Sequence, residues 1–203
     1  MRTTYMDTYN TIEKPSMAEF KDRGSRFIAY AYPVGDTVDV KSRLQQVKKE
    51  HPKAEHHCYA YRLGVDGLQF RAGDDGEPSG SAGRPILGQI DSKGLTNTAV
   101  IVVRYFGGTL LGVPGLINAY KTATALALQL VPIVSKPVEA RYTLHFDYTQ
   151  LNDVMQVVRQ HQMRVIEQET QLFCRVVVGI PKNRLTEALY RLGELYTVEV
   201  KAQ

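Results

Sequence analysis

Residues 98–103, Thr-Ala-Val-Ile-Val-Val, form an unbroken apolar, β-branched run, the pattern of a central strand buried on both faces. Upstream, residues 25–32 are rich in β-formers and stop at Pro33, which predicts a second strand. Val40, Leu44 and Val47 then recur at helical spacing within residues 39–50, and His51-Pro52 closes that helix. Residues 57–63 and 68–71 flank Gly64-Val65-Asp66-Gly67, so they predict an antiparallel hairpin. Residues 1–22 show no clear period and predict an arm or an edge strand.

A glycine-rich acidic stretch, 73–83, leads into a short amphipathic helix over 85–91 carrying Ile86, Leu87 and Ile90. Four glycines, Gly107, Gly108, Gly112 and Gly115, punctuate the segment after the central strand. Residues 116–130 then place Ala and Leu on most faces of a helix that is expected to be largely buried. Pro132 and Pro137 bracket a linker, which divides the chain into domains at 1–135 and 138–203. The second reads strand 141–148, helix 151–160, strand 164–169, strand 172–180, helix 182–192, strand 196–201. That βαββαβ order is the ferredoxin-like split βαβ arrangement, and the fold class is α+β.

Composition changes this picture little. Hydrophobic residues at 43% and charged residues at 23% of 203 are ordinary for a globular chain. A formal charge of +4 permits a polyanionic partner without requiring one. Cys58 and Cys174 stand far apart in strand-like surroundings, so reduced buried thiols are expected rather than a disulfide framework. The first 25 residues have no apolar core of a signal peptide and no window has the length of a membrane span, which predicts a cytoplasmic protein with no membrane partner.

Three patches carry candidate chemistry. His56, His57 and Cys58 are zinc-ligand types, but alternate strand residues face opposite ways, so only His56 and Cys58 share a face. Two ligands do not make a zinc site, and no metal or cofactor is expected. Asp74, Asp75 and Glu77 could ligate magnesium or act as a base, and Ser79 or Ser81 could be imagined as a nucleophile, yet no catalytic spacing orients them. The bland reading is a tight turn whose acids cap neighbouring amides. The third patch, from Arg104 to Gly112, leaves the end of the central strand with a cation and two aromatics and precedes a helix. Arg104 could meet phosphate while Tyr105 stacks on a base. Alternatively Phe106 is core, Tyr105 is partly buried, and Arg104 pairs with Asp74, Asp75 or Glu77. No Gly-Lys-Ser/Thr follows these glycines, so a Walker A loop is excluded.

Together, the stretches 51–62, 74–83 and 104–112, with Ser25-Arg26-Phe27, resemble the IMPACT/YigZ family in its bacterial two-domain form, over nearly the whole chain. One departure is Pro114, within Gly112-Val113-Pro114-Gly115-Leu116, where the family commonly has glycine. Proline removes an N–H, so any anion contact by that amide would be weakened, although proline also suits a helix's first turn. The resemblance implies an N-terminal domain like the second domain of ribosomal protein S5, a ferredoxin-like C-terminal domain, and a link to the control of translation.

The reading that follows is a non-enzymatic, translation-associated protein binding RNA, the ribosome or a translation factor. Its expected surface comprises Arg26, Arg84, Arg104, Tyr105, Gly107, Gly108 and Lys121. Two alternatives stand beside it. One is a hydrolase of a small or peptide substrate, using His56 with Asp74, Asp75 or Glu77; the other is a protein-interaction module docking through its C-terminal sheet.

Overall fold

The structure, a computed structural model, describes residues 7–203. By internal packing the described chain divides into a unit of Tyr9–Lys136 and another of Pro137–Gln203 together with Asp7 and Thr8. The first holds one five-stranded sheet with three helices, and most of a small pairing of β1 (Thr8–Ile12) with β7 (Ile133–Pro137). The linker expected between the prolines is therefore a strand. Its alternation of exposed and half-buried positions gave no apolar signal, because what fixes it is a partner more than 100 residues away.

Strands β2 (Ser16–Asp22), β3 (Ser25–Pro33), β4 (His56–Leu63), β5 (Gln69–Gly73) and β6 (Thr98–Tyr105) lie in the order β2-β3-β6-β4-β5, every neighbour antiparallel. The apolar run is central, with seven of its eight residues buried. The edge strand expected within 1–22 is β2; residues 1–6 of that expectation lie outside the described residues. Alternation along β3 sends Phe27, Ala29 and Ala31 to one face and Ile28, Tyr30 and Tyr32 to the other.

The first face is covered by α2 (Gly83–Ser92) and α3 (Gly112–Gln129), whose Ile86, Ile90, Leu116, Ala119, Tyr120 and Ala123 fill one core. The second face takes α1 (Thr37–Glu50) through Val40 and Val47. Asp36 caps α1, its carboxylate accepting from the Val38 and Asp39 amides, and Lys48 and Lys49 lie in its last turn, where the helix dipole favours cations. Helix α3 begins four residues before the sequence pattern suggested. Pro114 sits in its first turn, where an N–H has no intrahelical acceptor, so the ring removes no helical hydrogen bond.

The second unit runs β8 (Glu139–Asp147), α4 (Leu151–Gln160), β9 (Arg164–Glu169), β10 (Phe173–Pro181), α5 (Leu185–Gly193) and β11 (Glu199–Ala202). Its sheet order is β11-β8-β10-β9, antiparallel throughout, which is the ferredoxin-like topology. Leu144, Phe146, Val154, Val158, Val176, Val178 and Leu192 form a separate core on one sheet face. Among the described residues no helix is long and apolar enough to cross a membrane.

Candidate functional site

Strand alternation carries Arg104 to the same sheet face as Val100 and Val102, beneath the helices. The Arg104 side chain is only 7% exposed, and its Nη1 lies 2.7 Å from Oε1 of Glu77, itself 3% exposed. Burial of both charges makes this a structural ion pair: each desolvated group requires the other. Phe27 and Phe106 flank the guanidinium, their ring centroids 5.5 and 5.6 Å from its central carbon. The Nε of Arg104 has no hydrogen-bond partner among the described residues. Arg104 is thus corrected from a surface cation to a buried one, because the register of β6 points it inward.

Helix α3 completes the network. Tyr120, fully buried, donates its hydroxyl proton to Glu77 Oε1 at 2.7 Å. The Cys58 thiol lies 3.3 Å from that hydroxyl and 2.9 Å from the Asp74 carbonyl oxygen. Burial pushes the Cys58 thiol up to about 12, which leaves it protonated and unreactive at neutral pH. Burial, then the neighbouring Cys58, raises the Tyr120 hydroxyl as well. Cys58 is fully buried with its thiol against these two oxygens, and among the described residues no group of three metal-ligating side chains gathers.

The acidic loop after β5 is held by its own acids. Asp74 accepts from the Ala82 and Gly83 amides with Oδ1 and from Gly80 with Oδ2, at 2.8–3.1 Å. Partial burial alone would raise this carboxyl, but those amides, with the Arg84 charge, bring it below its ordinary value. Asp75 takes the His57 amide at 2.7 Å and faces Lys48 Nζ at 3.4 Å. His56 donates from Nδ1 to the Asp75 carbonyl at 2.8 Å, leaving Nε2 4.0 Å from Glu77 Oε2, beyond hydrogen-bond range. Burial lowers the His57 ring, whose Nε2 donates to the His51 carbonyl at 3.1 Å. Ser79 is exposed, and Ser81 is buried with its hydroxyl donating to the Pro78 carbonyl.

The remaining candidates do not gather on one surface. Arg26 and Tyr105 are opposite each other on β3 and β6, on the sheet face that carries α1, with the guanidinium 5.7 Å from the ring centre. Arg26 also forks onto Glu19, at 2.9 and 3.3 Å. Arg84 and Lys121 are exposed on α2 and α3, the helices of the opposite layer. Gly107 presses against the β2–β3 turn, so that a Cβ there would stand 1.9 Å from the Gly24 carbonyl carbon, and its amide is taken by Ser25 Oγ at 3.1 Å. Gly108 has φ +84 and open space where a Cβ would be. Phe106, expected as core under the bland reading, is 45% exposed, while Tyr105 is half-buried as that reading has it.

Two participants, Tyr120 and Arg43, were not singled out from the sequence, and His51, considered there only as a further metal ligand, has a different part. Tyr120 is the one aromatic in an Ala/Leu-rich helix, and a buried tyrosine hydroxyl requires a partner; that was the available signal. His51 bridges the Tyr30 and Tyr105 hydroxyls at 2.7 and 2.8 Å, and Arg43 lies 5.0 Å over Tyr32. Both depend on where α1 crosses the sheet.

The Impact N-terminal domain matches residues 23–128, the span containing every residue of this network. An IMPACT family member from Haemophilus influenzae is 36% identical over 163 residues, 79% of each chain. The IMPACT family member YigZ from Escherichia coli is 34% identical over 172 residues, 84% of each chain. A crystal structure described as that of a hypothetical protein superposes with a TM-score of 0.75 at 31% identity, covering 98% of each chain. Shared sequence therefore extends through both units, and the chain belongs to the IMPACT family.

Proposed function

We infer that this chain is a non-enzymatic binding protein acting in translation, engaging RNA, on the ribosome above all, through the α1 face of residues 9–136. The observation that carries this reading is a pair of arginine–tyrosine stacks on that face, Arg26 over Tyr105 and Arg43 over Tyr32. Both arginines are exposed and ordered over tyrosine rings, so a phosphate can reach them, at Arg26 in exchange for its Glu19 partner. Exposed Lys41 and Lys49 add cationic charge on the helix that carries Arg43. The family's link to translational control, implied by the sequence resemblance, supplies the setting.

The occupation of the acids supports binding over hydrolysis. Glu77 Oε1 accepts from Arg104 and Tyr120, and Asp74 from three amides, so these carboxylates hold a loop rather than wait for a proton. The hydrolase alternative has one contact in its favour, the His56–Glu77 approach at 4.0 Å.

Co-sedimentation with ribosomes across a salt series tests the reading. Association is expected to weaken with salt and to fall about tenfold in Arg26→Ala/Arg43→Ala, because each lost phosphate contact also lowers the salt slope by about one. Lys121→Ala is expected to change neither. Equal association of wild type and double variant, or none at low salt, would reject the RNA surface.

A further inference from the structure

His161 directly follows the last residue of α4 and is only 6% exposed. Buried polar side chains are normally hydrogen-bonded, and each imidazole nitrogen is a donor or an acceptor. In the first unit His51, His56 and His57 all spend a ring nitrogen on a protein group. Among the described residues neither ring nitrogen of His161 has a hydrogen-bond partner, and neither is sealed from solvent. What the ring meets instead is a cavity of about 590 Å³ lined by Gln160, His161, Asn183, Arg184, Glu187 and Arg191, where the end of α4 lies against the start of α5. Small-molecule sites have volumes of about 300–1,000 Å³. Every one of these lining residues is polar, which favours a hydrophilic occupant.

The charges around the cavity come from α4, the turn before α5 and α5 itself. Arg184 donates from Nη1 to the Gln160 carbonyl at 3.3 Å, which sets the guanidinium beside His161 and covers the negative end of α4. Among the described residues it has no acid partner, so the other donors of its fork stay open. Arg191 pairs with Glu194 at 3.0 Å, with both side chains well exposed, a contact that an incoming anion exchanges at little cost. The acids are Glu187, on the cavity wall, and Asp153 and Glu194, which line an adjoining hollow together with Gln160 and Arg191.

We propose that this cavity binds a small, hydrophilic phosphate ester, with His161 and Arg184 donating to the phosphate and Glu187 accepting from hydroxyls on the rest of the molecule. Neighbouring donors with capacity to spare select an anion, and a phosphate offers oxygens to both. Inorganic phosphate would leave most of the volume unfilled, and the acid on the wall repels a second anionic group while it accepts from hydroxyls. The site shares no residue with the Arg26 and Arg43 surface, so either can fail alone.

Titration of the nitrogen-15-labelled full chain with ribose 5-phosphate, inorganic phosphate and ribose, followed by NMR at the His161 ring nitrogens, provides the test. Ribose 5-phosphate is expected to shift those nitrogens saturably and to bind at least about tenfold more tightly than inorganic phosphate, and ribose is expected to leave them unmoved. Arg184→Gln and His161→Phe should each weaken binding about tenfold, as the loss of a charge-assisted or buried hydrogen bond does. Arg191→Gln, at an exposed position, should weaken it about threefold, which keeps the test decisive where His161→Phe disturbs packing. Amide spectra of the variants report their folding. Equal affinity for ribose and ribose 5-phosphate, ring nitrogens that stay unmoved in every titration, or an affinity that survives both arginine substitutions would overturn the proposal. So would a single-stranded RNA decamer that shifts the same nitrogens at lower concentration than ribose 5-phosphate, since the occupant would then be a nucleic acid.

Discussion

Arg104 carries a full charge into a layer otherwise built from Val100, Val102, Phe27 and Leu116. Its presence there is tolerable because Glu77 meets it at 2.7 Å and Tyr120 donates to the same carboxylate oxygen. Removing one partner strands the other in a low-dielectric site. Arg104→Met alone is therefore expected to lower stability by about 3–5 kcal/mol, measured by urea unfolding. Adding Glu77→Gln should restore most of that loss, because the amide keeps an oxygen for Tyr120 and no charge remains. A single variant as stable as wild type would mean the pair contributes nothing. The same reasoning explains why Arg104→Ala is a poor probe of binding: it would report on folding first.

Elements here are fixed by contacts of two kinds, and the glycines after β6 separate them. At Gly107 a side chain would strike the Gly24–Ser25 backbone, at 1.9 and 2.1 Å. The turn and the strand end would have to part, and Gly107→Ala is expected to cost about 1–3 kcal/mol, as overpacking does. At Gly108 nothing lies within 4 Å and only the left-handed backbone, φ +84, resists a side chain. Gly108→Ala should cost about 1 kcal/mol. Thermal unfolding of the two variants distinguishes close approach from backbone conformation, and equal losses would refute the distinction. Pattern alone located both glycines, but which one touches another strand depends on β3 pairing with β6.

At the scale of the whole molecule, each unit encloses its own core, one around Phe27, Val102 and Tyr120 and the other around Leu144, Val176 and Leu192. The second unit has the small size at which stability is marginal. Calorimetry of the full chain is expected to resolve two unfolding transitions, and Val158→Asp, buried in the second core, should lower one of them alone. A single transition moved as a whole by that substitution would show one cooperative unit instead. Strands β1 and β7 lie at the division, with Thr8 and Pro137 falling on its far side.

Local composition determined much of this protein. An unbroken β-branched run has only the interior to go to, helical spacing of Val40 and Val47 requires a buried stripe, and the order βαββαβ leaves few ways to close a sheet. Asp74 as a capping acid was likewise legible, since an Asp in a glycine-rich turn seeks nearby amides. Tertiary structure decided what depends on distant partners: that Glu77, among three neighbouring acids, reaches Arg104, that Tyr120 joins them from α3, and that Ile133–Pro137 pairs with Thr8–Ile12. Strand register and helix placement set those distances, and neither is encoded in any short window of residues.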